Sequence, residues 1–190
     1  KVNLKHFPQI EISGSYLGII GYGSVGRLLK EKAEAIGMKT LVYDPFYNKN
    51  EKNVNLVNLN YLLQNSKFIS LNASLNENKY LISKKELNLM SKDSFLINTA
   101  RGNLINTKDL VLALRNKIIA GAAIDVLETS KDFDAISKRK WKHTEDFGGT
   151  QLSQFENVIL TPHIAGFTKE TITKQSDKIV EIINLLFDNK

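Results

Sequence analysis

The apolar run Leu17-Gly18-Ile19-Ile20 ends in Gly21-Tyr22-Gly23-Ser24-Val25-Gly26, and a stretch of helical character follows from Arg27 to Ile36. Set between a strand and a helix, this G-x-G-x-x-G constrains the fold more than any other stretch of the chain. The first glycine lets the chain turn sharply off a strand, the second lets a pyrophosphate approach the backbone, and the third lets helix and strand pack closely. Free N–H groups in the first helical turn then face the phosphates, aided by the helix dipole. The pattern alone is weak, but here it has context. A second strand, Thr40–Tyr43, ends on Asp44, eighteen residues past Gly26 and about where a ribose-binding acid belongs. A purely structural βαβ turn is the alternative.

The alternation continues along the chain. Lys1 to Ser15 reads as a lead-in with at most one short element. On the first helix Val25, Leu28, Leu29, Ala33 and Ile36 share a face, and Gly37 stops it. The asparagine-rich stretch 48–55 is a loop. Leu59–Gln64 suits a short helix, Phe68–Leu71 a strand, Lys84–Met90 a helix capped by Ser83, and Ser94–Asn98 a strand. Thr107 caps a helix through Asn116, and Ile119–Ile124 is a strand whose small residues suggest a central position. A polar stretch from Val126 to Glu156 is the one long irregular segment. Val158–Leu160 is the last strand, and a helix over about 168–187 carries Ile172, Ile179, Ile183 and Leu186 on one stripe. Such alternation predicts an α/β fold with a doubly wound parallel sheet of the Rossmann type, binding ligands over the carboxyl ends of its strands.

With 190 residues there is room for one good core. The net charge of +6 raises the question of nucleic acid, yet the lysines are scattered among acids and asparagines. The densest cluster, Lys138–His143, reads as a solvated loop in preference to a phosphate-backbone groove. No nucleic-acid partner is expected. No apolar run approaches the ~20 residues of a membrane span, and no signal-peptide segment is visible, so a cytoplasmic protein is expected. The chain has no cysteine, which excludes disulfides and thiolate metal sites, and no metal is expected.

The polar residues collect at strand ends: Asp44, Asn72–Ser74, Thr99–Arg101, Asp125 and Thr161–His163. In a parallel sheet those ends share one edge. The planar guanidinium of Arg101 suits a carboxylate or a polarised carbonyl oxygen; a surface ion-pair role is the alternative. An imidazole at His163 beside a bound carbonyl can donate the proton that accompanies hydride addition; a structural histidine is the alternative. His6 and His143 have no such setting.

The segments Leu17–Asp44, Ile97–Gly102, Ala120–Val126 and Asn157–Gly166 together resemble the D-isomer-specific 2-hydroxyacid dehydrogenases, the group containing D-3-phosphoglycerate dehydrogenase. The resemblance runs in order over nearly the whole chain. It implies an NAD site in which Gly21, Gly23, Ser24, Val25 and Gly26 lie under the pyrophosphate and Asp44 holds the adenosine ribose. Ala73, Ser74, Thr99, Ala100, Arg101, Asp125 and His163 line the rest. It further implies that Arg101 holds a small 2-oxo or 2-hydroxy acid and that His163 is the acid/base. Asp44 favours NAD over NADP, because a carboxylate repels a 2′-phosphate.

The chain departs from the family pattern in three ways. The histidine-orienting glutamate is replaced by Ser130, leaving Glu128 or Asp132 as substitutes. That replacement motivates an alternative, a catalytically degenerate NAD-binding regulatory domain. A usual proline after the third strand is Ser74. The N-terminal segment of the substrate domain is missing, so residues 1–166 are expected to form the dinucleotide-binding domain with its linker. Residues 167–190 then form a helix that would pack towards the missing domain, in what is expected to be a homodimer.

Overall fold

The computed structural model describes residues 11–47, 53–74, 80–128 and 149–187. Ser130, Asp132, the Lys138–His143 cluster and His6 lie outside the described residues.

Six parallel strands form one sheet: β1 (Tyr16–Ile20), β2 (Lys39–Tyr43), β3 (Phe68–Leu71), β4 (Phe95–Asn98), β5 (Gly121–Ile124) and β6 (Val158–Leu160), in the spatial order β2-β1-β3-β4-β5-β6. The order reverses between β1 and β3, the switch point where a doubly wound sheet opens a crevice. Register makes that edge level. Tyr43 pairs with Ile20, Ile20 with Leu71, Leu71 with Asn98, Asn98 with Ile124, and Ile124 with Leu160. All six strands therefore stop in one row.

Helices α1 (Ser24–Ala35), α2 (Leu59–Asn65), α3 (Lys84–Leu87), α4 (Thr107–Arg115) and α5 (Gly149–Leu152) lie about the sheet on its two sides, and α6 (Lys169–Phe187) follows the last strand. Period-2 alternation along the strands decides which side each residue feeds. Leu17, Ile19 and Val42 pack with Tyr22 and Ala33 on the α1 side. Ile20, Leu41, Ile69, Leu71, Leu96 and Ile124 join Leu62, Leu63, Leu110 and Leu114 in the larger core on the other side. Gly18 shows how closely α2 approaches, since a Cβ there would run into Leu62 and Ser66. A clamp ties α1 to β2: Glu34 accepts from buried Lys30 at 2.7 Å and from the Thr40 hydroxyl at 2.6 Å. Burial pushes the Glu34 carboxyl up, but these hydrogen bonds and the Lys30 charge outweigh it and hold its pKa below the ordinary value.

Local chemistry corrects several expectations. The first helix starts three residues before the stretch read from Arg27, at Ser24 directly behind Gly23 and one residue before its apolar pattern. Asn106, not Thr107, caps α4: its side-chain oxygen accepts from the Asp109 amide at 3.2 Å, and Thr107 is already helical. The helix expected through Met90 closes at Leu87, because Leu89 and Met90 donate to Glu86 and Leu87, three residues back, and tighten the chain into turns. β5 is not central but next to the edge strand β6. Its small residues answer a different crowding: a Cβ on Gly121 would meet the Asn157 carbonyl and the Phe95 ring. On the apolar stripe of α6, Ile172 at 48% and Ile179 at 57% exposure face solvent.

Candidate functional site

The site begins where β1 ends. Gly21 has φ +93°, a left-handed conformation that costs glycine little, and its N–H donates to the Tyr43 carbonyl at 2.9 Å. A Cβ here would lie 2.6 Å from the Ala73 nitrogen, so the turn rests directly on the loop after β3. A Cβ on Gly26 would strike the Gly21 carbonyl, whereas one on Gly23 would meet open space. Gly23 caps α1 without a side chain, and the first turn carries no acid. Its amides are thus left to an incoming anion. Ser24 and Val25 in that turn are exposed.

Asp44 sits beside this turn, one step beyond β2. Its Oδ2 accepts from the Tyr22 amide at 2.7 Å and its Oδ1 from the Phe46 amide at 2.8 Å. Two backbone donors fix the carboxylate, and each oxygen keeps a lone pair for a further donor such as a ribose hydroxyl. A cleft of about 720 Å³ opens there, walled by Gly21, Gly23, Asp44, Phe46 and Tyr80 among others. A second cavity of about 240 Å³ is lined by Val25, Thr99, Ala100 and Arg101. Both have Asn72, Ala73 and Ser74 in their walls, so the loop after β3 joins them across the β1/β3 switch point.

Arg101 is presented by Asn98, the fully buried last residue of β4. Asn98 Nδ2 donates to the Arg101 carbonyl at 2.9 Å, and its Oδ1 accepts from the Ala100 amide at 3.0 Å. The exposed guanidinium turns back to the Ala100 carbonyl at 2.7 Å. Beneath it, Gly102 leaves room for the backbone of Leu127 and Glu128, which a Cβ would hit.

The chain leaving β6 makes another tight turn. His163 is exposed and has φ +52°, and its N–H donates to the Asp125 carbonyl at 2.9 Å. The Asp125 carboxylate, at 2% exposure, accepts from the Thr161 hydroxyl at 2.5 Å and from the amides of Ile164 at 3.0 Å and Ala165 at 3.1 Å. Neither Asp125 nor His163 lines either cavity. They stand over the adjoining ends of β5 and β6, on the same rim as Arg101.

The expected residues thus divide. Gly21, Gly23, Val25, Asp44, Ala73, Ser74, Thr99, Ala100 and Arg101 wall two adjoining cavities that share the loop after β3. Gly26 shapes them from behind, and Asp125 and His163 lie along the rim. Sequence reasoning missed Asn98, Phe46, Tyr80, Leu81 and Leu104; the last four are plain apolar or aromatic residues until the fold brings them to the cleft. Tyr80 faces Glu128, whose hydrogen bond and charge raise the phenol pKa. Glu128 Oε1 is buried without a hydrogen-bond partner. Among the described residues no cluster of three or more metal-ligating side chains occurs, and no helix is long and apolar enough to cross a membrane.

A dinucleotide suits these walls: open space over Gly23, uncapped amides, a carboxylate with spare lone pairs, and a cleft of the size ligand sites normally have. Known proteins agree. Residues 2–165 match the family model described as D-isomer specific 2-hydroxyacid dehydrogenase, NAD binding domain. The glycerate dehydrogenase of Methylorubrum extorquens is 34% identical over 187 residues, covering 97% of this chain and 54% of that protein. The structure of D-2-hydroxyisocaproate dehydrogenase superposes with a TM-score of 0.86 at 27% identity, covering 97% of this chain and 57% of that one. The D-lactate dehydrogenase of Aquifex aeolicus, complexed with NAD and lactic acid, superposes with a TM-score of 0.82 at 29% identity, covering 97% and 59%. The chain therefore spans about half the length of the relatives it matches.

Proposed function

This chain belongs to the D-isomer specific 2-hydroxyacid dehydrogenase family, as an NAD-binding domain, and on that premise we propose that it is the nucleotide half of an enzyme interconverting a D-2-hydroxy acid and its 2-oxo acid. The observation that carries this reading is the pair of cavities sharing the loop after β3 at the β1/β3 switch point, one walled by Asp44 and the other by Arg101. The amides of Ser24 and Val25 and the backbone at Gly21–Gly26 hold the pyrophosphate. Asp44 accepts from the adenosine ribose and disfavours a 2′-phosphate. Ala73, Ser74, Thr99 and Ala100 line the path towards the nicotinamide.

A bound nicotinamide supplies the hydride. Arg101 binds the carboxylate of the 2-oxo acid through its guanidinium fork, which orients the oxo group. His163 delivers a proton to the oxo oxygen from its imidazole and takes it back in the reverse direction. Asp125 accepts three hydrogen bonds from the turn that carries His163. The α6 stripe supports the reading of residues 167–190 as a helix that packs on a substrate-binding half. A homodimer and a cytoplasmic location complete the proposal.

Fluorescence titration tests it. The 190-residue chain is expected to bind NADH and to discriminate against NADPH, while turning over none of a panel of 2-oxo acids by itself. Failure to bind NADH removes the reading, and turnover by this chain removes the need for a second half.

A further inference from the structure

The turn after β6 poses a physical problem that the dinucleotide site does not answer. His163 adopts a left-handed backbone conformation, which costs a side chain bearing a Cβ of order 1 kcal/mol or more. Residues 163–166 are exposed, so the turn is not part of the apolar core. The carboxylate of Asp125 is buried, and burying a charge is tolerable only when its oxygens are satisfied. Each problem answers the other. Thr161, Ile164 and Ala165 bring three donors to that carboxylate from both sides of His163, and the His163 amide closes on the Asp125 carbonyl.

We infer that Asp125 is a positioning residue for His163, its buried carboxylate serving as the peg around which the Thr161–Ala165 turn is wound. This deepens the reading of His163 as proton carrier and rests on it. The peg acts without cofactor, which separates it from any contact Asp125 makes to a bound nicotinamide. Thr161 and Asp125 act together: the hydroxyl and the Ile164 amide share Oδ1, and the Ala165 amide has Oδ2.

That division gives the two halves of the peg separate signatures in amide hydrogen exchange on the cofactor-free chain. In Asp125→Asn the carboxamide has only one acceptor oxygen, and keeping it at the shared position leaves Ala165 facing an NH₂ group. The Ala165 amide should exchange at least about tenfold faster, and the Ile164 amide less so. Thr161→Val removes the hydroxyl with little change of shape and should speed Ile164 in preference to Ala165. Thr161→Ser should restore the wild-type pattern. The imidazole NMR signal of His163, assigned against His163→Gln, should shift or broaden in Asp125→Asn and Thr161→Val and recover in Thr161→Ser. Unchanged protection of Ile164 and Ala165 in both variants overturns the inference. So does an unmoved His163 signal, or a loss of protection spread evenly over β1–β4, since a peg must act locally. NADH titration of the wild-type chain stands apart. A chain that fails to bind NADH yet shows the local pattern retains the peg and loses the dehydrogenase reading; the converse result does the reverse.

Discussion

Two turns on the same rim use left-handed backbone, and they reach it by opposite means. After β1 the chain bends at Gly21, φ +93°, where no Cβ exists to resist. After β6 it bends at His163, φ +52°, where one does. The first turn is stabilised by what its residues lack. Gly21 presses on the backbone at Asn72–Ala73, Gly26 fits behind the Gly21 carbonyl, and Gly23 leaves space. The second is held by what a distant residue supplies, three hydrogen bonds to the Asp125 carboxylate. On the proposed reading, the surface that accepts a phosphate-bearing ligand is built from backbone, while the one that moves a proton needs a side chain and a device to hold it.

The largest expected break in this contrast is Gly26→Ala. The new Cβ meets the Gly21 carbonyl, so helix and turn must separate, at a cost of about 1–3 kcal/mol. Urea unfolding should show that loss, and NADH binding should fall below detection; a fully stable variant with normal binding would mean the third glycine is not tightly packed. Next comes Asp44→Ala, which removes acceptors for Tyr22 and Phe46 as well as for a ribose. NADH affinity should weaken by about 1.5–3 kcal/mol, the usual worth of a hydrogen bond to a charged group, while NADPH affinity changes less. Titration with both nucleotides reads the difference, and equal discrimination before and after the change would count against the ribose role.

The closing turn has its own test. His163→Gly and His163→Ala both remove the imidazole, but only glycine relieves the backbone. The glycine variant should be about 0.5 kcal/mol more stable than the alanine variant by thermal unfolding, the strain relieved exceeding the extra entropy of the unfolded chain. Alanine as stable as glycine would show that the turn stores no strain. The smallest effect belongs to the Glu34 clamp, away from both turns. Because its folded pKa is lowered, its contribution is present above the ordinary carboxylate pKa and lost as pH falls through the folded value. Glu34→Gln should therefore cost a few tenths of a kcal/mol at neutral pH, with the two stability curves converging in acid and NADH affinity unchanged.

Legibility follows the same contrast. The opening turn could be read because its requirements are local: three glycines, a preceding strand and a following helix lie within a dozen residues. The Schellman stop at Gly37 was legible for that reason too, its amide reaching Glu34 and that of Met38 reaching Ala33. The closing turn could not be read. Asp125 and Ala165 are forty residues apart, and nothing in Thr161-Pro162-His163 announces a positive φ. Asn98 looked like the last residue of a strand, and only the folded chain shows its amide gripping Arg101 and Ala100. Tyr80 and Leu104 become cleft walls through the parallel bridge of Ile82 with Ile105, a long-range pairing without sequence signature.

The level finish of the sheet has a consequence for how such a chain can change over generations. Since Tyr43, Ile20, Leu71, Asn98, Ile124 and Leu160 stand abreast, each loop departs from a common platform, and beyond the few residues where loops touch it can be lengthened without tilting the strands. An insertion inside a strand has no such freedom, because a slip of one residue sends every later side chain to the wrong face. Novelty in this architecture is therefore cheap above the platform and nearly forbidden below it.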